Sequence, residues 1–146
     1  MSLSSSLINI PIDIPITIAE PSTGMSRAVL SELFEQLLAL EETGQSHVID
    51  LNSLPMSDSD KRELEHLLGK GEVSITLSTI GDSHIFETAY SGIWWIKHFS
   101  PDEKLIAELI EITNIPEIIK SHPDDIKQAA VALKKIIDDG ESGEEV

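Results

Sequence analysis

Cysteine is absent from the 146 residues, which excludes disulfides, thiolate nucleophiles, iron–sulfur ligation and cysteine zinc sites. Aromatic residues are scarce: three phenylalanines, two tryptophans and one tyrosine. Basic residues are scarce too. Ten Lys and Arg stand against 26 Asp and Glu, for a formal charge of −16, which repels phosphate backbones and anionic lipid surfaces. Neither nucleic acid nor a membrane is therefore an expected partner. No run approaches the ~18 apolar residues of a transmembrane span. The opening MSLSSSLINIPIDIPITIAEP has no basic leading region, and Asn9, Pro11, Asp13 and Pro15 interrupt its isoleucines. It does not read as a secretory signal, and a cytoplasmic location is expected.

The few aromatics are concentrated. Both tryptophans, the tyrosine and two of the phenylalanines lie in IFETAYSGIWWIKHF, Ile85 to Phe99, and the remaining sequence is organised around this stretch. Upstream, Ile8, Ile10, Ile12, Ile14, Ile16 and Ile18 alternate with other residues. That period of two places every isoleucine on one side of an extended segment, and its two prolines confine the segment to a sheet edge or an arm. The arm, residues 1–24, packs on its own domain or lies across a partner chain.

SRAVLSELFEQLLALEET (Ser26–Thr43) carries the apolar spacing of an amphipathic helix, with Gly44 as its stop. HVIDL (His47–Leu51) reads as a short strand. A second helix is expected from Ser57, whose side-chain oxygen caps the first turn while Asp58 and Asp60 favour the positive end of the dipole. VSITLSTI alternates as a half-buried strand. HIFETAY, GIWWIKHF and LIAELIEIT follow it, separated by Gly81-Asp82, Ser91-Gly92 and Ser100–Glu103. The expected fold class is α+β: a four-stranded antiparallel meander with helices on one face, as a single domain over 25–138. Pro116 and Pro123 read as helix starts. The last helix is expected over Ile126–Asp138, followed by a disordered acidic tail over 139–146.

If Gly81-Asp82 and Ser91-Gly92 are both two-residue loops, one sheet face collects Val73, Ile75, Leu77, Phe86, Tyr90, Ile93 and Trp95. The other collects Ser74, Thr76, Ser78, Ile85, Glu87, Ala89, Trp94, Ile96 and His98. The first belongs under the helices. The second is too apolar around Trp94 and Ile96 for open water. A bulge at Gly92 exchanges the two sets, so which tryptophan faces outward stays open, but adjacent tryptophans point to opposite sides of a regular strand.

No catalytic constellation is apparent. The five histidines fall in five segments without metal-ligand spacing, and there is no nucleophile elbow. Gly69-Lys70-Gly71-Glu72 lacks the spacing of a phosphate loop. Neither a metal site, a cofactor nor a catalytic residue is expected. Glu87 falls among apolar residues, where a carboxylate either acts as a general acid or pairs with Lys97 or His98.

LPMSDSDKRELEHLLGKGEVSITL (Leu54–Leu77), ETAYSGIWWIKH (Glu87–His98) and EITNIPEII (Glu111–Ile119), in this order, resemble the HupH/HyaF family of hydrogenase expression/formation proteins, over a core of residues 54–125. The resemblance implies a non-enzymatic accessory role in [NiFe] hydrogenase maturation. The protein would act as a chaperone or scaffold for the hydrogenase small subunit, alongside other maturation factors. Family proteins are about twice as long, with two related copies of this domain, and a homodimer would replace the missing copy. The expected interface is the second sheet face, with Trp94, Ile96, Glu87 and His98, or Trp95 should that ring be the outward one. The rival reading is an enzyme or small-ligand binder with a pocket around Glu87 and His98.

Overall fold

The computed structural model describes residues 21–144, with side chains described as far as residue 141. The alternating Ile8–Ile18 segment lies outside the described residues. The chain divides into two compact units, the first ending at Asn114 and the second beginning at Ile115.

In the first unit, helix α1 spans Met25–Thr43 and ends on Gly44, whose left-handed backbone turns its N–H onto the Leu40 carbonyl. Strand β1 (His47–Asp50) leads through a short 3₁₀ turn to helix α2 (Asp58–Leu68). Strands β2 (Ser74–Leu77), β3 (Ser83–Glu87), β4 (Ile93–Phe99) and β5 (Leu105–Ile112) complete an antiparallel sheet of order β1-β5-β4-β3-β2. The expected four-strand meander is present as β2 to β5. Among the described residues it is corrected to five strands because HVIDL joins it, with Ile49 opposite Ile110 and His47 opposite Ile112. A strand of four residues carries no mark of its neighbour in its own pattern.

One face of the sheet lies under the helices. Val29 and Leu33 of α1 and Leu64 and Leu68 of α2 pack with Ile49, Leu51, Ile93, Trp95, Ile110 and Ile112. Every member of this core precedes Asn114. Among the described residues the strands also precede it. The second unit holds a 3₁₀ turn (Glu117–Ile119) and helix α3 (Pro123–Glu144). Where a disordered tail is expected from residue 139, α3 runs on through Gly140 to Glu144.

The register differs from the sequence expectation in one informative way. Leu77, not Ile80, opposes Ser83, so the β2–β3 loop is Ser78–Asp82. That three-residue offset is odd and exchanges the faces of β2. Ile75 and Leu77 share a face with Ile85, while Ser74 and Thr76 take the other, where both are exposed. The cause is Gly81. A side chain there would place Cβ 2.2 Å from the Phe99 carbonyl oxygen. The glycine therefore serves the close approach of the loop to the end of β4 rather than a tight hairpin. Between β3 and β4, Glu87 opposes Trp94. A two-residue turn would put Ala89 there, and this even offset keeps the faces as expected.

The two helices are joined at their starts by one carboxylate. Asp60 is fully buried and closes a capping box, accepting from the Ser57 N–H at 2.9 Å while its own N–H donates to Ser57 Oγ at 3.1 Å. It also accepts from Thr23 Oγ1 at 2.6 Å, Thr23 N–H at 2.8 Å and Ser22 Oγ at 3.1 Å. The Thr23 hydroxyl, more than the remaining donors, holds this carboxyl far below its ordinary value of 3.8 against the opposing effect of burial. The folded state thus binds the proton less readily than the unfolded chain. The stability this contributes is complete above the ordinary value and is lost as the pH falls below it. Asp60→Asn is expected to lower the melting temperature at pH 7. The gap to the parent protein should narrow as thermal melts are taken below pH 3.8, and a gap independent of pH would contradict this account.

Candidate functional site

The two adjacent tryptophans sit on opposite faces of β4, as alternation requires, and both are covered. Trp95 is fully buried beneath the helices, stacked on Phe86 with ring centroids 6.3 Å apart. Trp94 points to the other face and is only 5% exposed, beside Ile96 at 2% and Ile85 at 0%. Its indole N–H donates to the Thr113 carbonyl at 3.1 Å. The middle of the second face is therefore as well covered as the core. Its half-buried members are Ile75, Leu77, Glu87, His98, Ala107 and Leu109.

Glu87 and His98 share this face, but they are not brought together. Glu87 lies opposite Trp94 and His98 opposite Ser83, four residue steps apart along the β3–β4 ladder, or about 13 Å. Glu87 accepts the Gly92 N–H at 3.4 Å and borders a shallow depression with Leu37, Leu40 and Asn114. His98 Nδ1 lies 2.6 Å from Ser83 Oγ. A serine on a histidine nitrogen is the first half of a nucleophile–base pair. Here it is a cross-strand bond, and Ser83 as a residue is buried. The sequence reading did not find it, because the partners are fifteen residues apart and the register that joins them depends on the loop.

A second polar cluster runs through the helix side of the sheet. Trp95 Nε1 donates to Glu108 Oε2 at 2.8 Å. Glu108, 4% exposed, lies 3.8 Å from Lys61 and 4.0 Å from Lys97, and Lys97 also binds Glu65 of α2 at 3.2 Å. These groups satisfy one another and tie α2 to β4 and β5. Among the described residues there is no group of three or more His, Asp or Glu placed to hold a metal ion.

The first two stretches that carry the family resemblance meet in space, and their chemistry there is packing. The Gly71 N–H donates to the Glu87 carbonyl at 2.7 Å, Glu87 N–H to Val73 at 3.0 Å, and Ala89 N–H to Leu68 at 2.9 Å. A Cβ on Gly71 would fall 2.5 Å from the Thr88 carbonyl oxygen, and one on Gly69 3.3 Å from the Ala89 methyl. Gly92, with φ of +90°, makes the corresponding approach to Leu37 and Leu40 of α1. The Gly69–Glu72 run is thus a backbone joint between α2 and the β3–β4 loop, not a phosphate loop.

The family model described as "HupH hydrogenase expression protein, C-terminal conserved region" matches residues 25–139. The chain belongs to this family. HupQ of Azotobacter chroococcum, a hydrogenase expression/formation protein, is 36% identical over 110 residues, which are 74% of this chain and 39% of that protein. HoxQ of Azotobacter vinelandii, described in the same words, is 34% identical over 90 residues, 62% and 32% of the two chains. The hydrogenase-1 operon protein HyaF of Escherichia coli is 30% identical over 92 residues, 63% and 32%. This chain therefore spans about a third to two fifths of the length of these curated relatives. A solved structure of the hydrogenase expression protein HupH from Thiobacillus denitrificans is 38% identical, superposes with a TM-score of 0.78, and is covered over 99% of its chain by 82% of this one. None of these names describes an enzymatic reaction. Among the described residues this HupH-type fold is an α+β arrangement with an antiparallel sheet and three α-helices, none of them long and apolar enough to cross a membrane.

Two substitutions probe this joint and the polar cluster. Gly71→Ala is expected to cost about 1–3 kcal/mol in urea unfolding, the usual penalty for forcing a methyl into a filled site. Trp95→Phe keeps a ring but withdraws a donor from the buried Glu108, with an expected loss of about 1–3 kcal/mol. A loss under ~0.5 kcal/mol for either would show that the contact is dispensable.

Proposed function

We propose that this protein is an accessory factor for [NiFe] hydrogenase maturation that works as a chaperone or scaffold for the hydrogenase small subunit through protein–protein contact. The observation that carries this reading is the family match over 25–139, joined to a fold whose shared motif residues make packing contacts. The polar side chains that sequence reasoning singled out are spent on structure: Glu87 on a backbone amide, His98 on Ser83. The rival reading needs Glu87 and His98 in one cleft, and their separation along the ladder argues against it.

The contact surface we assign is the second sheet face, reached through its half-buried rim. Ile75, Leu77 and Leu109 surround Ile85, Trp94 and Ile96 there, with Glu87 and His98 at its two ends. A sheet face this apolar suits a partner with an apolar docking surface. The same face serves a homodimer, which would supply the second domain copy of longer relatives.

Affinity capture of the full chain from cells making a [NiFe] hydrogenase is expected to recover the small subunit, and Ile75→Asp with Leu77→Asp to reduce recovery at least tenfold while the melting temperature changes little. Trp94→Ala is a poorer probe, because a buried tryptophan costs about 3–5 kcal/mol of stability when truncated. Failure to recover the small subunit with the unmodified chain would reject the client. Recovery unaffected by the double substitution would reject the surface.

A further inference from the structure

The apolar stripe of α1 is wider than the core beneath it. Val29 and Leu33 are buried, and Leu30, Leu37 and Leu40 are partly buried against the same cluster. Phe34 and Leu38, four residues apart and so neighbours on one side of the helix, are left outside it. Phe34 is 59% exposed, in a chain that has three phenylalanines in all, so core packing does not account for it.

Beside this row lies the depression that Glu87 borders. Leu37, Leu40 and Glu41 of α1 line one side and Glu87, Ser91 and Asn114 the other, around a volume of about 630 Å³. The two sides are fixed to each other. A Cβ on Gly92 would fall 3.2 Å from Leu37 Cδ1 and 3.4 Å from Leu40 Cδ2, and the Gly92 carbonyl accepts the Thr113 N–H at 2.9 Å. Thr88 Oγ1 donates to the Tyr90 carbonyl at 3.1 Å and accepts the Tyr90 N–H at 3.2 Å. The β3–β4 loop is thus braced from within while Tyr90 itself is 54% exposed. A site held this way loses little freedom when it is filled.

Its polar groups have capacity to spare. A carboxylate offers about four acceptor sites. Glu87 uses one of them, for the Gly92 N–H at 3.4 Å, longer than the ~2.7–3.2 Å of an ordinary N–H···O bond. Among the described residues neither Glu41 nor Glu87 is ion-paired. Two acids alone would be a solvated face. Here they stand over Leu37 and Leu40, next to the outward Phe34 and Leu38. That combination matches a side chain with an aliphatic stem and a cationic head of several donors, carried among apolar neighbours, and arginine is the residue so built.

We propose that the depression between α1 and the β3–β4 loop takes an arginine side chain of a partner protein. Its guanidinium lies on Glu41 and Glu87 and its stem along Leu37 and Leu40, while apolar residues beside that arginine pack on Phe34 and Leu38. The charge of −16 draws such a segment toward the protein, and the two carboxylates select where it seats. This site is separate from the rim of Ile75 and Leu77 on the second sheet face, and it does not depend on which client the protein serves.

Titration of the full chain with a short capped peptide of alternating leucine and arginine, followed by amide NMR, tests the proposal. Shifts are expected to gather at Leu37, Ser91, Gly92 and Asn114. The leucine–glutamine counterpart should bind about fivefold more weakly or worse. Glu41→Gln with Glu87→Gln is expected to weaken the arginine peptide about fivefold or more, and Phe34→Ala about threefold, with melting temperatures near that of the parent. Asp102→Asn with Glu103→Gln removes the same formal charge from the turn at the far end of β4 and should leave the affinity within about twofold. Equal losses from the two acid pairs, or shifts spread over the whole surface, would reduce the effect to net charge and overturn the site. Equal binding of the glutamine peptide would leave an apolar patch without a cation subsite, and no binding of either peptide would reject both parts.

Discussion

One buried negative charge sets the frame of the first unit. Asp60 has no access to solvent and collects donors from Ser22, Thr23 and Ser57, so neither helix can start anywhere else without stranding a carboxylate in the interior. Fixing the two starts on the same side of the sheet places Val29 and Leu33 beside Leu64 and Leu68, and together these roof Trp95. A hydrophobic roof could slide, because apolar contacts are non-directional. The acid supplies the direction.

Below that roof, Glu108 plays a similar part. It takes the Trp95 indole N–H and stands between Lys61 and Lys97. The largest ring of the core is therefore held by a directed bond as well as by its area. The same economy explains the aromatic concentration in Ile85–Phe99: one indole completes the core and the other anchors the opposite face through Thr113. With both rings covered, recognition falls to the half-buried residues around them. This is the arrangement on which the proposed docking role rests.

Much of this was legible in the residues. Ser57 as a cap, Gly44 as a stop and the opposite orientation of Trp94 and Trp95 are all local consequences of backbone geometry, and each appears where the pattern put it. The candidate site was less legible. Glu87 and His98 were placed on the correct face, yet their partners, the Gly92 amide and Ser83, come from loop lengths that no pattern encodes. Gly81 misled for the same reason: a Gly-Asp pair signals a tight turn, but its use here is clearance from the Phe99 carbonyl.

By itself the sequence determined the chemistry that is excluded, through its lack of cysteine and its charge of −16, and the kind of each element, since periodicity is a property of neighbouring residues. It also determined the family, through motifs whose spacing survives in the linear order. Only the tertiary structure decided that β1 closes the sheet against β5, that β2 turns Ile75 and Leu77 to the second face, and that Asp60 and Glu108 are interior charges with donors. The physical reason is common to all three. Each depends on groups far apart in the chain meeting at a distance of a few ångströms, and a single residue in a loop changes which groups those are.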